Sequence, residues 1–241
     1  MNDEAPDFQQ GRWRLFKDAA ALRQAARKTI LDAADEAIRE RGGFHLVLAG
    51  GNTPREIYRA LPAARTDWAS WHIYFGDERC LRPDDPVRNS HMARAAWLDH
   101  VPIPAAQIHA IPAELGARNA AAAYAKTLSA VGEFDLVLLG LGEDGHTASL
   151  FPGHVWGAAT GSPDALAITD APKPPPQRVS LSARRLSRSR QVIFIVSGET
   201  KREAIAAWRA GKDIPARAIA PPGGIEVLVE AALLSSPEPG A

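Results

Sequence analysis

The stretch Phe134-Asp-Leu-Val-Leu-Leu-Gly-Leu-Gly-Glu-Asp-Gly-His-Thr-Ala-Ser-Leu-Phe-Pro-Gly153 decides the fold class of this chain. Its apolar run at 136–141 predicts a strand that is covered on both faces, which is typical of parallel sheets. Glu143, Asp144 and His146 follow in a glycine-rich bend. Because open α/β sheets bind ligands beyond the carboxyl ends of their strands, this bend is a predicted functional site.

Net charge and cysteine content exclude several classes of function. Lysine plus arginine and aspartate plus glutamate both number 28, so no bulk charge favours nucleic acid or an anionic membrane as a partner. Cys80 is the single cysteine, which excludes an internal disulfide and a multi-cysteine metal site. The arginine-rich stretch 178–190 is a local exception to the charge balance and is typical of a solvated helix face.

Length and hydropathy predict one domain over residues 1–241. With 46% hydrophobic residues, the chain can bury a sizeable core. No apolar run reaches membrane-spanning length, and the N-terminus has no basic-then-apolar signal pattern, so we expect a cytoplasmic protein. Residues 1–10 and 236–241 are expected to be flexible ends.

Apolar runs alternate with helical spacings along the chain, which predicts βαβ units and a mainly parallel sheet between helices. A long first helix is expected from its cap Asp18 to Gly42, and the proline-rich stretch 171–176 is expected to be a stiff loop. The buried stripe of the first helix is predicted at Leu22, Ala26, Ile30, Ala34 and Ile38. Strands are predicted at Trp13–Phe16 (an edge strand), His45–Ala49, His72–Phe75, Asp135–Leu141, Val179–Leu181, Val192–Val196 and Ile225–Val229. The other predicted helices are Pro54–Leu61, Arg88–Trp97, Ala117–Leu128 and Thr200–Ala210.

The first loop with chemical potential follows the strand at 45–49. Gly50 and Gly51 allow close backbone approach, and the free N–H groups of the next helix favour an anion. Thr53 as N-cap, with Pro54 first in the helix and a glutamate three residues after the cap, reads as a capping box. The loop is therefore interpreted as a phosphate site, with a plain strand-to-helix turn as the alternative.

The second loop, Tyr74–Cys80, packs polar groups directly after an apolar strand. Asp77 and Glu78 are expected to orient Arg79, whose planar guanidinium suits bidentate contact with a phosphate or carboxylate. The alternative is a structural ion pair that closes the loop. Cys80 has no obvious base nearby and is interpreted as a small hydrophobic residue rather than a nucleophile.

The third loop contains a misleading motif and a promising histidine. Residues 140–145 match the dinucleotide fingerprint G-x-G-x-x-G, but Pro152 and Gly153 leave no room for the helix that this fingerprint requires. His146 remains, and Asp144 could hold its imidazole in one tautomer while the other nitrogen takes a proton. The alternative is a structural histidine. Because the chain has neither G-x-S-x-G nor H-E-x-x-H, covalent serine catalysis and zinc hydrolysis are disfavoured.

Five motifs in register resemble those of the 6-phosphogluconolactonase family, within the glucosamine/galactosamine-6-phosphate isomerase superfamily. The matching pieces are Ala49-Gly-Gly-Asn-Thr-Pro54, Phe75-Gly-Asp-Glu-Arg79 with Asn89-Ser90, Gly142-Glu-Asp-Gly-His-Thr-Ala-Ser-Leu-Phe-Pro152, Pro176-Gln-Arg-Val-Ser-Leu181 and Ser197-Gly-Glu-Thr-Lys201. The resemblance covers nearly the whole chain. It implies an α/β fold of three layers, α/β/α, with a mainly parallel sheet and a small appended subdomain.

The resemblance also implies an activity: hydrolysis of 6-phospho-D-glucono-1,5-lactone to 6-phospho-D-gluconate in the oxidative pentose phosphate pathway. No metal or organic cofactor is expected, and the chain is expected to act as a monomer or homodimer. His146 is the implied general base and Asp144 orients its ring. The implied substrate- and phosphate-binding residues are Gly50, Gly51, Asn52, Thr53, Asp77, Arg79, Asn89, Arg178 and Lys201.

Two other functions are disfavoured by sequence differences. Glucosamine-6-phosphate deaminases resemble this chain at the Asp-Gly-His bend, but they typically carry Asp-Glu-Tyr where this chain has Asp77-Glu-Arg79. They also carry Ile-Ala-Phe-Asn-Glu after the histidine, where this chain has Thr147-Ala-Ser-Leu-Phe151. A non-catalytic sugar-phosphate sensor would carry a helix-turn-helix, and only a short polar segment precedes the first predicted helix.

Overall fold

A computed structural model describes residues 11–234, so the predicted flexible ends 1–10 and 236–241 lie outside the described residues. The strands are β1 (Gly11–Phe16), β2 (Phe44–Leu48), β3 (Trp71–Phe75), β4 (Asp77–Arg79), β5 (Ile108–His109), β6 (Phe134–Gly140), β7 (Ala165–Ile168), β8 (Arg178–Leu181), β9 (Ser189–Val196) and β10 (Ile225–Glu230). The α-helices are α1 (Ala19–Arg41), α2 (Asn52–Arg59), α3 (Asn89–Ala96), α4 (Ala117–Leu128), α5 (Ala183–Ser187) and α6 (Arg202–Arg209). Short 3₁₀ turns lie at Trp68–Ser70, Leu98–His100, Ala105–Gln107, Ala113–Leu115, Glu199–Lys201, Pro215–Ala218 and Ala231–Leu233.

Two sheets form the β-structure of the described residues. Seven parallel strands lie in the order β1-β10-β9-β6-β2-β3-β5, and three antiparallel strands lie in the order β4-β8-β7. The predicted α/β class with a mainly parallel sheet is confirmed, and the small antiparallel sheet is the appended part. Strand β8 was predicted as a strand, but it belongs to this small sheet and not to the parallel one.

The large sheet is covered by helices on both faces. On one face, the ring of Phe44 meets Trp71 edge-on at 4.8 Å between centroids, and Trp71 contacts Trp97 beside α3. The strand register places Phe194 on the opposite face, where its ring meets Trp208 of α6 edge-on at 4.7 Å. The sheet is therefore the middle layer of three, as expected.

The first helix is the clearest case of local sequence determining structure. The Asp18 carboxylate accepts from the N–H of Ala21 at 2.8 Å, and Gly42 ends the helix in the left-handed conformation with φ 76°. The predicted stripe is buried from Leu22 to Ala34, but its last buried member is Ala37 rather than Ile38. The predicted stripe advances by four residues at each step, but one helical turn takes only 3.6 residues. After four such steps the buried face has shifted by one residue, from Ile38 to Ala37.

The arginine-rich stretch is only in part solvated as its composition predicts, because Arg188 and Arg190 are exposed whereas Arg178 and Arg185 are buried. Arg185 is fully buried, with its guanidinium 3.8 Å from the ring centroid of Phe134. Burial lowers the pKa of Arg185 to about 10, although the nearby Asp164 carboxylate raises it. Helix α5 has five residues and joins β8 directly to β9, and Ala183, Arg185 and Leu186 of this helix are buried.

The described residues contain no helix that is both long and apolar enough to span a membrane. The prediction of one domain over the whole chain stays a prediction.

Candidate active site

A cleft of about 210 Å³ opens where the carboxyl ends of β2 and β6 meet the small sheet. This is the edge of a parallel sheet at which ligands of α/β proteins bind. The cleft brings together eight of the predicted site residues: Gly50, Gly51, Asp77, Arg79, Asn89, His146, Arg178 and Lys201. The other three are Asn52 and Thr53, in the first turn of α2, and Asp144, which contacts His146.

The capping box predicted at the first loop is wrong. Helix α2 begins at Asn52, and its N-cap is Gly51, which has no side chain that could cap it. Gly51 adopts φ 103°, which turns the chain into the helix two residues earlier than Thr53 could. Glu56 does not reach back to the cap, because its carboxylate binds Arg59 at 2.9 Å. The first helical N–H groups are therefore left at the mouth of the cleft.

Gly50 is required for close packing beside the cleft. A Cβ atom on Gly50 would collide with the carboxamide of Asn89. The Asn89 Nδ2 atom donates to both the carbonyl oxygen and Oδ1 of Asp77 at 2.9 Å. The glycine loop, α3 and β4 therefore pack around one buried amide.

The prediction that Asp77 and Glu78 orient the Arg79 guanidinium is wrong. Glu78 is fully buried and caps α3 by accepting from the N–H groups of Asn89 at 2.7 Å and Ser90 at 2.8 Å. Successive side chains of a strand point to opposite faces, so Glu78 points away from its neighbour Arg79. The Arg79 Nη1 atom donates instead to the carbonyl oxygen of Val87 at 2.5 Å.

Arg79 and Arg178 are direct cross-strand neighbours in the small sheet, and both line the cleft. Like charges placed opposite each other on one face destabilise a sheet unless an opposite charge lies between them. The Nε atom of Arg79 is also buried without a hydrogen-bond partner among the described residues. Both features favour an anion at this side of the cleft.

The Asp77 carboxylate ties the third loop to the small sheet. Ser149 Oγ donates to Asp77 Oδ2 at 2.6 Å, and Arg178 Nη1 donates to the same Ser149 oxygen at 3.4 Å. Sequence reasoning missed Ser149, although it lies three residues after His146 in the most informative motif. It also missed Lys173, whose Nζ atom lies 2.9 Å from Glu143 Oε1.

His146 is held by Asp144, as predicted. The Nδ1 atom of the ring lies 2.5 Å from Asp144 Oδ1, and the ring also contacts Phe151. Burial lowers the pKa of His146, against the Asp144 carboxylate, which raises it. Burial raises the pKa of Asp144, but the charge and hydrogen bonds of His146 outweigh it and lower that pKa.

These shifts set the protonation states of the pair at neutral pH. The lowered pKa values favour an ionised Asp144 and a neutral His146 imidazole, and because an ionised carboxylate only accepts, we assign the ring proton to Nδ1. The Nε2 atom is then the free acceptor of the ring. The arrangement can take a proton from a molecule bound in the cleft.

The bend around His146 is shaped by glycine and by one strained residue. A Cβ atom on Gly142 would collide with the His146 ring, so only glycine leaves room for the observed ring position. Thr147 Oγ1 donates to the carbonyl oxygen of Gly140 at 2.8 Å. Ala148 follows with φ 49°, a conformation that non-glycine residues rarely adopt. Such strain often accompanies functional sites.

Two other chemistries find little support around the cleft. Within residues 11–234, no three side chains of histidine, cysteine, aspartate or glutamate are grouped as ligands of a metal ion. Cys80 is half-buried and packs against the core, and burial raises the pKa of its thiol, which disfavours a nucleophilic thiolate.

A sequence model of the family described as glucosamine-6-phosphate isomerases/6-phosphogluconolactonase matches residues 17–228. The chain belongs to this family. A 6-phosphogluconolactonase of Nostoc sp. is 41% identical over 231 residues, which cover 90% of this chain and 95% of the relative. One of Mycobacterium tuberculosis is 38% identical over 213 residues, which cover 83% and 86%. The resemblance predicted from the five motifs is confirmed.

Solved structures of the family share the fold. A 6-phosphogluconolactonase of Shewanella baltica has a TM-score of 0.81 at 27% identity, covering 93% of this chain and 99% of that one. One of Thermotoga maritima has a TM-score of 0.84 at 24% identity, covering 91% and 99%. A monomeric glucosamine-6-phosphate deaminase has a TM-score of 0.77 at 20% identity, covering 92% and 98%, so the same fold also carries a different activity.

Proposed function

We propose that this protein hydrolyses 6-phospho-D-glucono-1,5-lactone to 6-phospho-D-gluconate, a step of the oxidative pentose phosphate pathway. The observation that carries the proposal is the contact between His146 Nδ1 and Asp144 Oδ1 at a cleft that Arg79 and Arg178 also line. Relatives at 38–41% identity bear the name 6-phosphogluconolactonase, which supports the same substrate.

The reaction needs a base more than a covalent nucleophile, because a lactone is already an activated ester. His146 Nε2 takes a proton from a water molecule that attacks C1, while Asp144 holds the opposite ring nitrogen. The imidazolium that forms is stabilised by the same carboxylate. As the ring C–O bond breaks, the imidazolium returns the proton to the leaving ring oxygen, and the base is regenerated.

The phosphate end of the substrate is assigned to the cationic side of the cleft. Arg79 offers a buried Nε–H group that has no hydrogen-bond partner within residues 11–234, and the backbone N–H groups of Gly50 and Gly51, which line the cleft, are assigned to the same anion. Asn52 and Thr53 contribute through their main chain in the first turn of α2. Lys201 lines the same cleft. Burial lowers the pKa of Lys201, although the negative charge of Glu143 raises it.

Asp77 and Asn89 are assigned a supporting role in substrate binding, since their side chains bond to each other beside Gly50. No metal ion or organic cofactor takes part in the proposed reaction. We further propose that the protein acts in the cytoplasm as a monomer or homodimer, with a small sugar-phosphate lactone rather than nucleic acid as its partner.

Deamination of glucosamine 6-phosphate is the competing activity in the same family. It is disfavoured because Arg79 stands where deaminases typically carry tyrosine, and the segment after His146 lacks their Asn-Glu pair. Purified protein should therefore release no ammonia from glucosamine 6-phosphate.

A coupled assay tests the proposal. Glucose-6-phosphate dehydrogenase generates the lactone in situ, and the appearance of 6-phosphogluconate is followed with and without this protein. We expect acceleration by the wild type and a loss in kcat of about 10²-fold or more in His146→Asn, the range of a positioned acid–base group. The exposed His100→Asn serves as control. If both His146→Asn and His100→Asn accelerate the reaction like the wild type, a residue other than His146 is the base. If the wild type gives no acceleration, the proposed function is overturned.

A further inference from the structure

The guanidinium of Arg178 is largely used within the protein. Its Nε atom donates to the carbonyl oxygen of Pro175 at 3.1 Å, and its Nη2 atom donates to those of Lys173 at 3.0 Å and Pro174 at 3.3 Å. Its Nη1 atom meets Ser149 Oγ at 3.4 Å. A guanidinium has five N–H groups, so little hydrogen-bonding capacity remains for a substrate. Arg178 itself is buried.

These contacts hold the main chain of residues 173–175 against the small sheet. They therefore fix the backbone position from which the Lys173 side chain extends. The Lys173 side chain extends to Glu143, on the loop that carries His146. Its positive charge also lowers the pKa values of His146 and Lys201, after the larger effect of burial in both cases. The Lys173 ammonium therefore lies near His146 and Lys201, two residues that line the cleft.

Glu143 is shared by two lysines. Its hydrogen bond to Lys173 and the charges of Lys173 and Lys201 together lower the pKa of the carboxyl. The Glu143 side chain is 59% exposed and Lys173 is 41% exposed, so solvent reaches both. An exposed ion pair of this kind is weak and easily exchanged for another anion.

We propose that Lys173 is a substrate-binding residue that takes the phosphate of the lactone, and that Arg178 is the positioning residue that holds Lys173 at the cleft. Before the substrate binds, the Glu143 carboxylate forms an ion pair with Lys173, and the phosphate then replaces it. The inference rests on the proposed function and changes the role expected for Arg178, which acts through the backbone of residues 173–175. A phosphate dianion is a stronger partner for Lys173 and Lys201 than one exposed carboxylate.

The first experiment compares Lys173→Met with Lys126→Met, which removes an exposed lysine of α4. We expect the KM for the phosphorylated lactone to rise about tenfold or more in Lys173→Met only, as for a lost hydrogen bond to a charged group. The kcat/KM for unphosphorylated D-glucono-1,5-lactone should stay near the wild-type value. An unchanged KM, or an equal loss with both lactones, overturns the assignment of Lys173 to the phosphate.

The second experiment separates positioning from charge at Arg178. Arg178→Lys keeps the charge but loses the planar fork that binds three carbonyl groups. We expect its KM to rise as in Lys173→Met, and the double variant to be hardly worse than either single one. A wild-type KM in Arg178→Lys, or additive effects in the double variant, overturns the positioning role. Thermal melting of each variant identifies any loss that comes from unfolding.

The third experiment tests the part played by Glu143. Glu143→Gln frees Lys173 and should lower the KM by up to about fivefold, the range of an exposed ion pair. An unchanged or higher KM overturns this part of the proposal.

Failure of the proposed function is recognised separately. If the wild type does not turn over the lactone, calorimetric binding of 6-phosphogluconate replaces KM as the readout. Weaker binding in Lys173→Met than in Lys126→Met still supports the assignment of Lys173. Equal binding, or no binding by the wild type, overturns it.

Discussion

One oxygen of Asp144 binds His146 twice. Its Oδ1 atom lies 2.5 Å from the ring Nδ1 and 3.2 Å from the backbone nitrogen of His146. Because a single carboxylate holds both the ring and the main chain, the direction of Nε2 is fixed before any substrate arrives. Preorganisation of this kind is what general-base catalysis requires from an enzyme.

Replacement of Asp144 should change the pH dependence as well as the rate. The acid limb of kcat/KM is expected below the ordinary histidine value of 6.5, since burial lowers the pKa of His146 and the base works only when neutral. Asp144→Asn removes the charge that raises this pKa, so the limb should move to lower pH while kcat falls by about 10²-fold. A pH–rate profile checks this, with the exposed Asp84→Asn as control. A limb that stays in place or moves to higher pH contradicts the assignment.

Gly142→Ala should impair catalysis by displacing a ring. The added methyl group collides with the His146 imidazole, and a displacement of about 1 Å can cost about 10²-fold in rate. We expect a lower kcat and a normal fold by circular dichroism. Gly132→Ala is the matched control, because a Cβ atom there meets open space. Equal activities of the two variants would show that the ring tolerates the methyl group.

Glu78→Gln should destabilise the protein rather than act on the chemistry directly. Glu78 is fully buried, caps α3 and lies 3.4 Å from the buried Arg88 Nε. Loss of one partner of a buried ion pair costs about 3 kcal/mol or more in the free energy of unfolding. Urea denaturation measures the change, and Asp84→Asn at the exposed Arg82 pair should cost less than about 1 kcal/mol. Similar losses in both variants contradict the structural role of Glu78.

Three histidines stack along the large sheet, away from the cleft. The rings of His45 and His72 are parallel at 4.6 Å, and His109 continues the stack at 6.1 Å from His72. Burial lowers the pKa of all three, and for His45 the Asp135 carboxylate opposes this effect. The folded protein therefore takes up fewer protons than the unfolded chain once the pH falls below about 6.5.

The stack should make stability fall in mild acid. Because the folded pKa values are depressed, the free energy of unfolding is highest above the unfolded value and declines as the pH drops through the folded ones. His72→Phe keeps a ring but removes one titrating group. The slope of the free energy of unfolding against pH should therefore decrease by less than the value for one proton, which is about 1.4 kcal/mol per pH unit. Urea titrations at several pH values measure it, with the exposed His100→Phe as control. An unaltered slope in His72→Phe speaks against the stack as the cause.

Much of the fold could be predicted from apolar periodicity, and its failures have physical reasons. Helix α4 has the predicted bounds, because Gly116 and the apolar spacing mark its start clearly. Strand β4 was missed because Asp-Glu-Arg has no apolar residue, and β5 because two residues carry no period. Both strands exist only because neighbouring strands supply hydrogen-bond partners, and a single sequence does not contain that information.

The candidate site was predicted in part. The Asp144–His146 pair was found because both residues lie in one short bend, where sequence proximity guarantees spatial proximity. The start of α2 was misplaced because it depends on the φ of Gly51. Lys173 was missed because its contact with Glu143 joins two loops that are 30 residues apart in the sequence.

Gly76 alone separates β3 of the large sheet from β4 of the small one. The proposed base follows a strand of the large sheet, whereas Arg79 and Arg178 belong to the small one. The proposed base and Arg79 are thus carried by different sheets. Redesign for another phosphorylated lactone can vary Arg79 and the 171–176 loop while the bend at 140–151 and the buried Glu78 are kept, and Gly76 is one junction that such a redesign has to preserve.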